Sequence, residues 1–319
     1  MKKRIITGVI LVLVFIPLLL IPEFIPQTIF IFYGVCAFFS CVGAYEILRL
    51  SEVEKKYSWR VKAVVMISTL LIYFSGLSLW QSAQIHAINE AIQIEYIGGP
   101  ILSIALILIS TILQLSLLVF SKSFDAHDLG KSFLASFYVG LGVACITTLR
   151  SMGIRFILYL FLITTLTDVF AYVFGMLFGK HKMIERISPK KTWEGAIGGT
   201  IMASVTAALF AYLFGDLFAG MIKDVDPGEN LFVIFSKVNE ISPIGQLLII
   251  LLVTFIASIV SQIGDLVASK LKRTYGIKDF GNIFPGHGGF LDRFDSAILC
   301  SMFLLSAFLI VATIVGIPA

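Results

Sequence analysis

Nine stretches of this sequence are apolar for long enough to cross a lipid bilayer, and no other feature restricts the fold so much. A helix needs about 20 predominantly apolar residues to span the hydrocarbon. Lipid offers no water to bond backbone N–H and C=O groups, so these groups must pair within the helix itself. The stretches are 5–22, 27–48, 62–81, 99–121, 132–150, 155–179, 195–222, 244–268 and 295–317. Charged residues make up only 14% of the 319, against about 25% in a soluble domain, and mean hydropathy is +0.97. The expected fold is all-α: a polytopic integral membrane protein of about nine transmembrane helices. The first stretch follows Met1-Lys2-Lys3-Arg4. It lacks a small-x-small cleavage site and further spans follow, so a retained anchor is expected.

Charge then sets the orientation. With the N-terminus in the cytoplasm, the cytoplasmic segments are 1–4, 49–61, 122–131, 180–194 and 269–294. Counting flanking residues such as Lys62, they hold 20 of the 24 Lys and Arg residues. The outer side keeps Arg150, Arg155, Lys223 and Lys237. This positive-inside asymmetry predicts a cytoplasmic N-terminus and an outer C-terminus. The net charge of +4 is therefore a matter of topology, and no basic stripe interleaved with aromatics points to nucleic acid. Cys36, Cys41, Cys145 and Cys300 all fall in expected spans without Cys-x-x-Cys spacing, so they are expected to be small buried apolar residues. Two regions are expected: N-terminal transmembrane helices over 1–150, and a C-terminal catalytic region over 151–319 that carries the loops 180–194 and 269–294.

Those two loops differ from the others. The first lies in GKHKMIERISPKKTWEG, 179–195. Ser188-Pro189 has the form of a helix start, serine as N-cap and proline at the first helical position. That would set Lys190 and Lys191 in a first turn, where the helix dipole favours negative charge. Either they meet an anion there together with exposed N–H groups, or they hold the loop at an anionic membrane surface. The residues leave both open. Asp168, near the middle of the sixth span, is a functional candidate by its depth, or else the partner of a lysine or arginine on a neighbouring helix.

The second loop ends in KDFGNIFPGHGGFLDRFDS, 278–296, a crowded polar segment in an oily chain. Asp265 precedes it near the end of the eighth span. Lys272 shares a face with Asp265 if the helix continues two more turns. Asp292 as an N-cap and Asp295 in a first turn would each have a structural role. Such roles leave Asp265, Lys272, Lys278 and Arg293 unaccounted for. Carboxylates from two helix ends suit a hard divalent cation such as magnesium, which often shares its shell with substrate phosphates. The cationic side chains would neutralise the remaining phosphate charge. Glycines at 286–289 let backbone N–H groups approach a ligand, and Pro285 stiffens the entry. His287, with no second histidine nearby, reads as a hydrogen-bonding residue rather than a metal ligand. The chemistry reached in this way is that of a membrane enzyme acting on a phosphorylated substrate with a divalent metal.

The run Ser269, Lys272-Arg273, Lys278-Asp279, Pro285, His287-Gly288-Gly289, Asp292-Arg293 and Asp295 resembles the signature of the phosphatidate cytidylyltransferases, or CDP-diacylglycerol synthases. The upstream residues Asp168, Ala171-Tyr172, Gly175, Gly179, Lys182, Ser188-Pro189, Lys191-Thr192 and Glu194-Gly195 match as well. The likeness is strongest across 165–300. Met176 stands where many members have a basic residue, and Glu185 where many have proline. The resemblance implies a reaction of CTP with phosphatidate to give CDP-diacylglycerol and pyrophosphate. It implies magnesium, with potassium (K+) as a candidate second cation, and Asp265 and Asp292 as metal ligands. Lys272, Lys278, Asp279, His287, Arg293 and Asp295 become candidate catalytic residues. Asp168, Ser188, Lys190, Lys191, Thr192, Glu194, Gly288 and Gly289 become candidate substrate-binding residues. A homodimer in a bacterial inner membrane, its site facing the cytoplasm, is implied too. Two alternatives stand beside it. One is a membrane transporter, resting on Asp168 and the glycine-rich 195–220 helix although no repeat is visible. The other is a CTP-dependent kinase, or a cytidylyltransferase of another lipid.

Overall fold

A computed structural model describes residues 2–51, 55–88, 100–213 and 243–315. Helix α1 is Lys2–Phe24, and a short 3-10 turn, Pro26–Thr28, leads into α2, Ile29–Ser51. Then come α3 (Trp59–Ile88), α4 (Pro100–Phe120) and α5 (Ala126–Leu134), the last running through a π-turn, Ala135–Val139, into α6 (Gly140–Met152). Helix α7 (Ile154–Phe178), strands β1 (Lys182–Ile184) and β2 (Ser188–Thr192), α8 (Trp193–Leu213), α9 (Pro243–Thr274) and α10 (Leu291–Val315) follow.

Among the described residues, nine helical stretches are long and apolar enough to cross a bilayer. The fifth is the composite Ala126–Met152, which starts earlier than expected, and the eighth continues as helix to Thr274. The segment 269–274, expected in a loop, is therefore the last turn and a half of α9. Arg150 and Arg155, expected on an outer loop, are buried in α6 and α7 on either side of Gly153. The far ends of the expected 195–222 and 295–317 spans, with Lys223 and Lys237, lie outside the described residues.

Large apolar side chains face outward, as with Leu13 at 66% and Ile101 at 85% exposure. In lipid such exposure is normal, and apolar contact between helices gains little over contact with lipid tails. Small and polar residues have to hold the helices together instead.

The chain forms two compact units, Met1–Thr148 with Lys272–Phe294, and Leu149–Leu271 with Asp295–Ala319. The segment 272–294, expected with the C-terminal region, packs with the N-terminal helices. Within the first unit, α3 and α4 bond reciprocally through Ser68 and Ser110: Ser110 Oγ donates to Ser68 O at 3.2 Å, and Ser68 Oγ to Ser110 O at 3.5 Å. Asp125 and Asp128 form a capping box at the start of α5. Lys55, in the α2–α3 linker, pairs with both carboxylates at 3.1 and 2.6 Å, and Tyr57 donates to Asp128 at 2.6 Å. The hydrogen bond from Lys55 to Asp128 raises the Lys55 pKa, and the backbone N–H of Asp128 lowers that of Asp125.

In the second unit α7 lies along α8. Gly195 and Gly199 present a small-x-x-x-small face to Ala171 and Gly175, and a Cβ on Gly199 would sit 2.8 Å from the Ala171 backbone. Helix α9 is tied to its neighbours by hydroxyl and amide groups. Thr167 and Ser258 hydroxyls meet at 2.7 Å, and Tyr159 bonds Thr254. Gln262 Nε2 donates to Ala196 O at 3.1 Å and Thr200 Oγ1 at 2.7 Å. All four cysteines are free, Cys36 and Cys300 buried and the other two half-buried.

Candidate active site

The expected helix start at Ser188-Pro189 is not where α8 begins. Residues 188–192 form β2, antiparallel to β1, with Lys182 opposite Thr192 and Ile184 opposite Ser188. In a two-stranded hairpin every strand has an open edge, so the N–H that Pro189 lacks need not be missed. The helix starts instead where the apolar run starts, and Thr192 caps it: its buried Oγ1 accepts from Gly195 N at 3.2 Å. Lys190 and Lys191 are thereby removed from any first turn, and their conflict with a helix dipole disappears. Glu194 is half-buried at the hairpin's base. It accepts from the backbone N–H groups of Lys180 and His181 at 3.1 and 3.2 Å, and its Oε1 lies 2.6 Å from His181 Nδ1. Thr192 and Glu194, both expected to bind substrate, spend these atoms on fastening the hairpin to α8.

The hairpin and helices α7 and α8 enclose a polar cavity of about 380 Å³, lined among others by Asp168, Tyr172, Met176, Ser188, Lys190 and Lys191. Lys191 forms an ion pair with Asp265 of α9, whose Oδ1 also accepts from Ser269 Oγ at 3.3 Å. Asp168 is exposed to this space and interacts electrostatically with both Asp265 and Lys191. Two carboxylates thus face one ammonium within the second unit, which leaves an excess of negative charge. Oxygen donors of this kind fit a hard divalent cation. Among the described residues no three His, Cys, Asp or Glu side chains converge, so water and substrate oxygens would have to complete its shell.

A second cluster belongs to the first unit. Asp292, in the first turn of α10, is engaged at both oxygens. Oδ1 takes the Lys272 ammonium at 2.8 Å, and Oδ2 accepts from Phe280 N at 2.8 Å and Gly289 N at 2.9 Å. The Asp292 side chain is only 4% exposed. Lys272 also lies over the Phe280 ring, 5.1 Å from its centroid. Arg293 donates through Nε and Nη2 to the His287 carbonyl at 2.8 and 2.5 Å. The turn between closes through Phe284 N to Gly288 O and His287 N to Phe284 O, with Gly286 and Gly288 at positive φ. Lys278 and Asp279 are exposed on this loop. Asp295 falls in the second unit, where its Oδ1 accepts from Ser296 N at 2.7 Å.

A model of the cytidylyltransferase family matches residues 2–311. The chain belongs to the cytidylyltransferase family. A phosphatidate cytidylyltransferase of Staphylococcus haemolyticus is 36% identical over 297 residues, which is 93% of this chain and 94% of that protein. Proteins of the same name from Staphylococcus epidermidis and Staphylococcus aureus are each 34% identical, again over 93% of this chain and 94% of theirs.

One residue of this cytidylyltransferase-family chain was missed by sequence reasoning. Glu46, on α2, is 2% exposed and reaches the start of α10. Its Oε1 accepts from Phe290 N and its Oε2 from Leu291 N, each at 2.9 Å. Those N–H groups are orphans of the helix terminus, and the dipole favours the negative charge there. The loop folds tightly around the carboxylate: a Cβ on Gly281 would lie 2.5 Å from Oε1, and one on Gly289 would lie 2.6 Å from Cδ. Phe39, two turns away on the same helix, stacks on Phe290 at 5.0 Å. The signal that could have found Glu46 is the one that marks Asp168, an ionisable residue inside a span.

Proposed function

We propose that the protein transfers the cytidylyl group of CTP to phosphatidate, giving CDP-diacylglycerol and pyrophosphate. Among the structural features, the ion pair of Lys191 with Asp265 beside Asp168 supports this reading most directly. Lys191 and Asp168 line the polar cavity, where the phosphate of a lipid and a water-soluble nucleotide can both arrive. The staphylococcal relatives carry the same activity in their names. Membership of the family leaves no reason to prefer a transporter.

In this reaction an oxygen of the phosphatidate phosphate bonds to the α-phosphorus of CTP. The bond from that phosphorus to the bridging oxygen breaks, and pyrophosphate leaves with the electron pair. The nucleophile is already anionic, so no strong general base is needed; the barrier lies in bringing anions together. Lys190 and Lys191 supply positive charge at the cavity, and Lys272 and Arg293 at the loop. Asp265, with Asp168 beside it, would hold magnesium, which would neutralise phosphate oxygens and polarise the reacting phosphorus. Asp292 would share its carboxylate between Lys272 and a second cation, for which potassium is the candidate. His287 would hydrogen-bond substrate. The charge distribution supports a cytoplasmic side for the N-terminus and both loops, in a bacterial cell membrane, and a homodimer is the proposed assembly.

Purified protein incubated with phosphatidate, magnesium and CTP labelled at the α-phosphate is expected to move label into lipid. Asp265→Asn and Lys191→Ala should each lower the rate about a hundredfold or more while unfolding at the wild-type temperature. Label entering lipid only from the γ-phosphate would instead identify a kinase and end the cytidylyl-transfer reading.

A further inference from the structure

The polar cavity has an apolar neighbour in the same unit. A second cavity of about 290 Å³ is lined by Trp193, Ile197 and Ile201 of α8 and by Phe255, Ile259 and Ile263 of α9, with Thr200 and Leu266 among the rest. Ala196 and Gln262 line both cavities. The wall they form is fixed, since the Gln262 amide is tied to Ala196 O and Thr200 Oγ1. Ile197, Ile201, Ile259 and Ile263 are exposed, so this cavity is a groove open to the surrounding hydrocarbon.

Its dimensions fit a particular occupant. From Leu266 back to Phe255 the groove follows twelve residues of α9, a rise of about 16 Å. Half of a hydrocarbon core of about 30 Å is about 15 Å, the depth of one leaflet. Trp193, at its polar end, is exposed at the first residue of α8, a position suited to the headgroup region. A groove one leaflet deep, opening at headgroup level beside a cavity that holds two lysines, matches a lipid whose head is an anion.

We propose that this groove receives one acyl chain of the lipid substrate while the polar cavity receives its phosphate. The proposal rests on the cytidylyl-transfer reading and adds where the lipid lies. An ordinary neighbouring lipid could lay a tail in the groove, but only one with an anionic head would gain from the lysines on the other side of the Ala196 and Gln262 wall. Because the chain leaves lipid to enter the groove, it gains packing and little hydrophobic free energy. Filling the groove should therefore weaken substrate binding without abolishing turnover.

The test uses Ile201→Trp and Ile259→Trp, which fill the groove, beside Leu209→Trp and Leu252→Trp, exposed positions on the same helices outside it. The groove variants are expected to raise KM for long-chain phosphatidate by roughly three- to tenfold, a modest effect because lipid competes for the chain. KM for CTP, and the kinetics with a short-chain, water-soluble phosphatidate, should stay at wild-type values. Groove variants that behave like the outer controls would overturn the proposal. Wild-type enzyme that labels no phosphatidate at all would refute the reaction itself, before any variant is made. If a groove variant folds poorly, wild-type protein is photolysed with phosphatidate carrying a diazirine midway along one chain. Label is expected in 193–201 and 255–266. The same labelling from a phosphatidylcholine probe of equal chain length would mark the groove as a general lipid contact and sink the proposal.

Discussion

Replacing Glu46 by alanine should free the start of α10. The carboxylate accepts from two backbone N–H groups at 2.9 Å in a site that is 2% exposed. A buried donor left without a partner costs about 1–3 kcal/mol, so two cost roughly 2–6 kcal/mol. Glu46→Gln keeps one acceptor oxygen and turns an amide N–H against the second donor, so about half that loss is expected. Hydrogen exchange of peptides covering 280–294 reads the effect locally. At about 1.4 kcal/mol per tenfold, even the lower bound speeds exchange of the Phe290 and Leu291 amides about thirtyfold. Cytidylyl transfer should fall with it, because Asp292 and Arg293 occupy the turn that Glu46 fastens. Gly289→Ala attacks the same contact from the loop side. In the double variant its effect should largely vanish, since the carboxylate it would strike is gone. Unchanged exchange in Glu46→Ala would mean that the helix start is held by other groups, and the reasoning would fail.

Two further outcomes follow from the packing and the linker. Gly199→Val places side-chain atoms where a Cβ alone is already 2.8 Å from Ala171. It should force α7 from α8 and lower the unfolding temperature in detergent, whereas Ile197→Val, exposed on the same helix, should not. The second concerns pH. The folded-state pKa of Asp125 is depressed by the Asp128 N–H and then by Lys55. Its stabilisation is therefore present above the unfolded-state value, near 4, and is lost as pH falls through the folded-state value. The gap in unfolding temperature between wild type and Asp125→Asn should be constant from about pH 5 to 7 and close below about pH 4. A gap that persists in acid would show that the carboxylate charge is not what matters.

The spans were legible because twenty apolar residues in a row suit little besides a bilayer, and their positions agree with the structure to within a few residues at most edges. Asp168, Lys191 and Asp265 were also legible, since charge near a bilayer is rare enough to mark itself. The hairpin was not. Ser188-Pro189 satisfies the local rule for a helix start, but Thr192 offers a second cap four residues later, at the point where the apolar run begins. Choosing between two adequate caps needs the packing of Gly195 and Gly199 against α7, and periodicity does not display it. Glu46 was obscured differently. Its partners are main-chain groups on a loop distant in sequence, and a backbone N–H has no letter in the sequence.

That distance has a consequence for how the molecule is made. Glu46 and Phe290 are 244 residues apart, and a ribosome adding about 5–20 residues per second covers that interval in roughly 12–50 s. For all of that time α2 carries a carboxylate into the membrane whose eventual partners do not yet exist. The N-terminal unit cannot close until 272–294 has been synthesised and threaded back to it, so nearly the whole chain is in place before its first half is finished. A ribosome stalled in α9 would leave Glu46 without the two backbone N–H groups that it bonds in the finished fold.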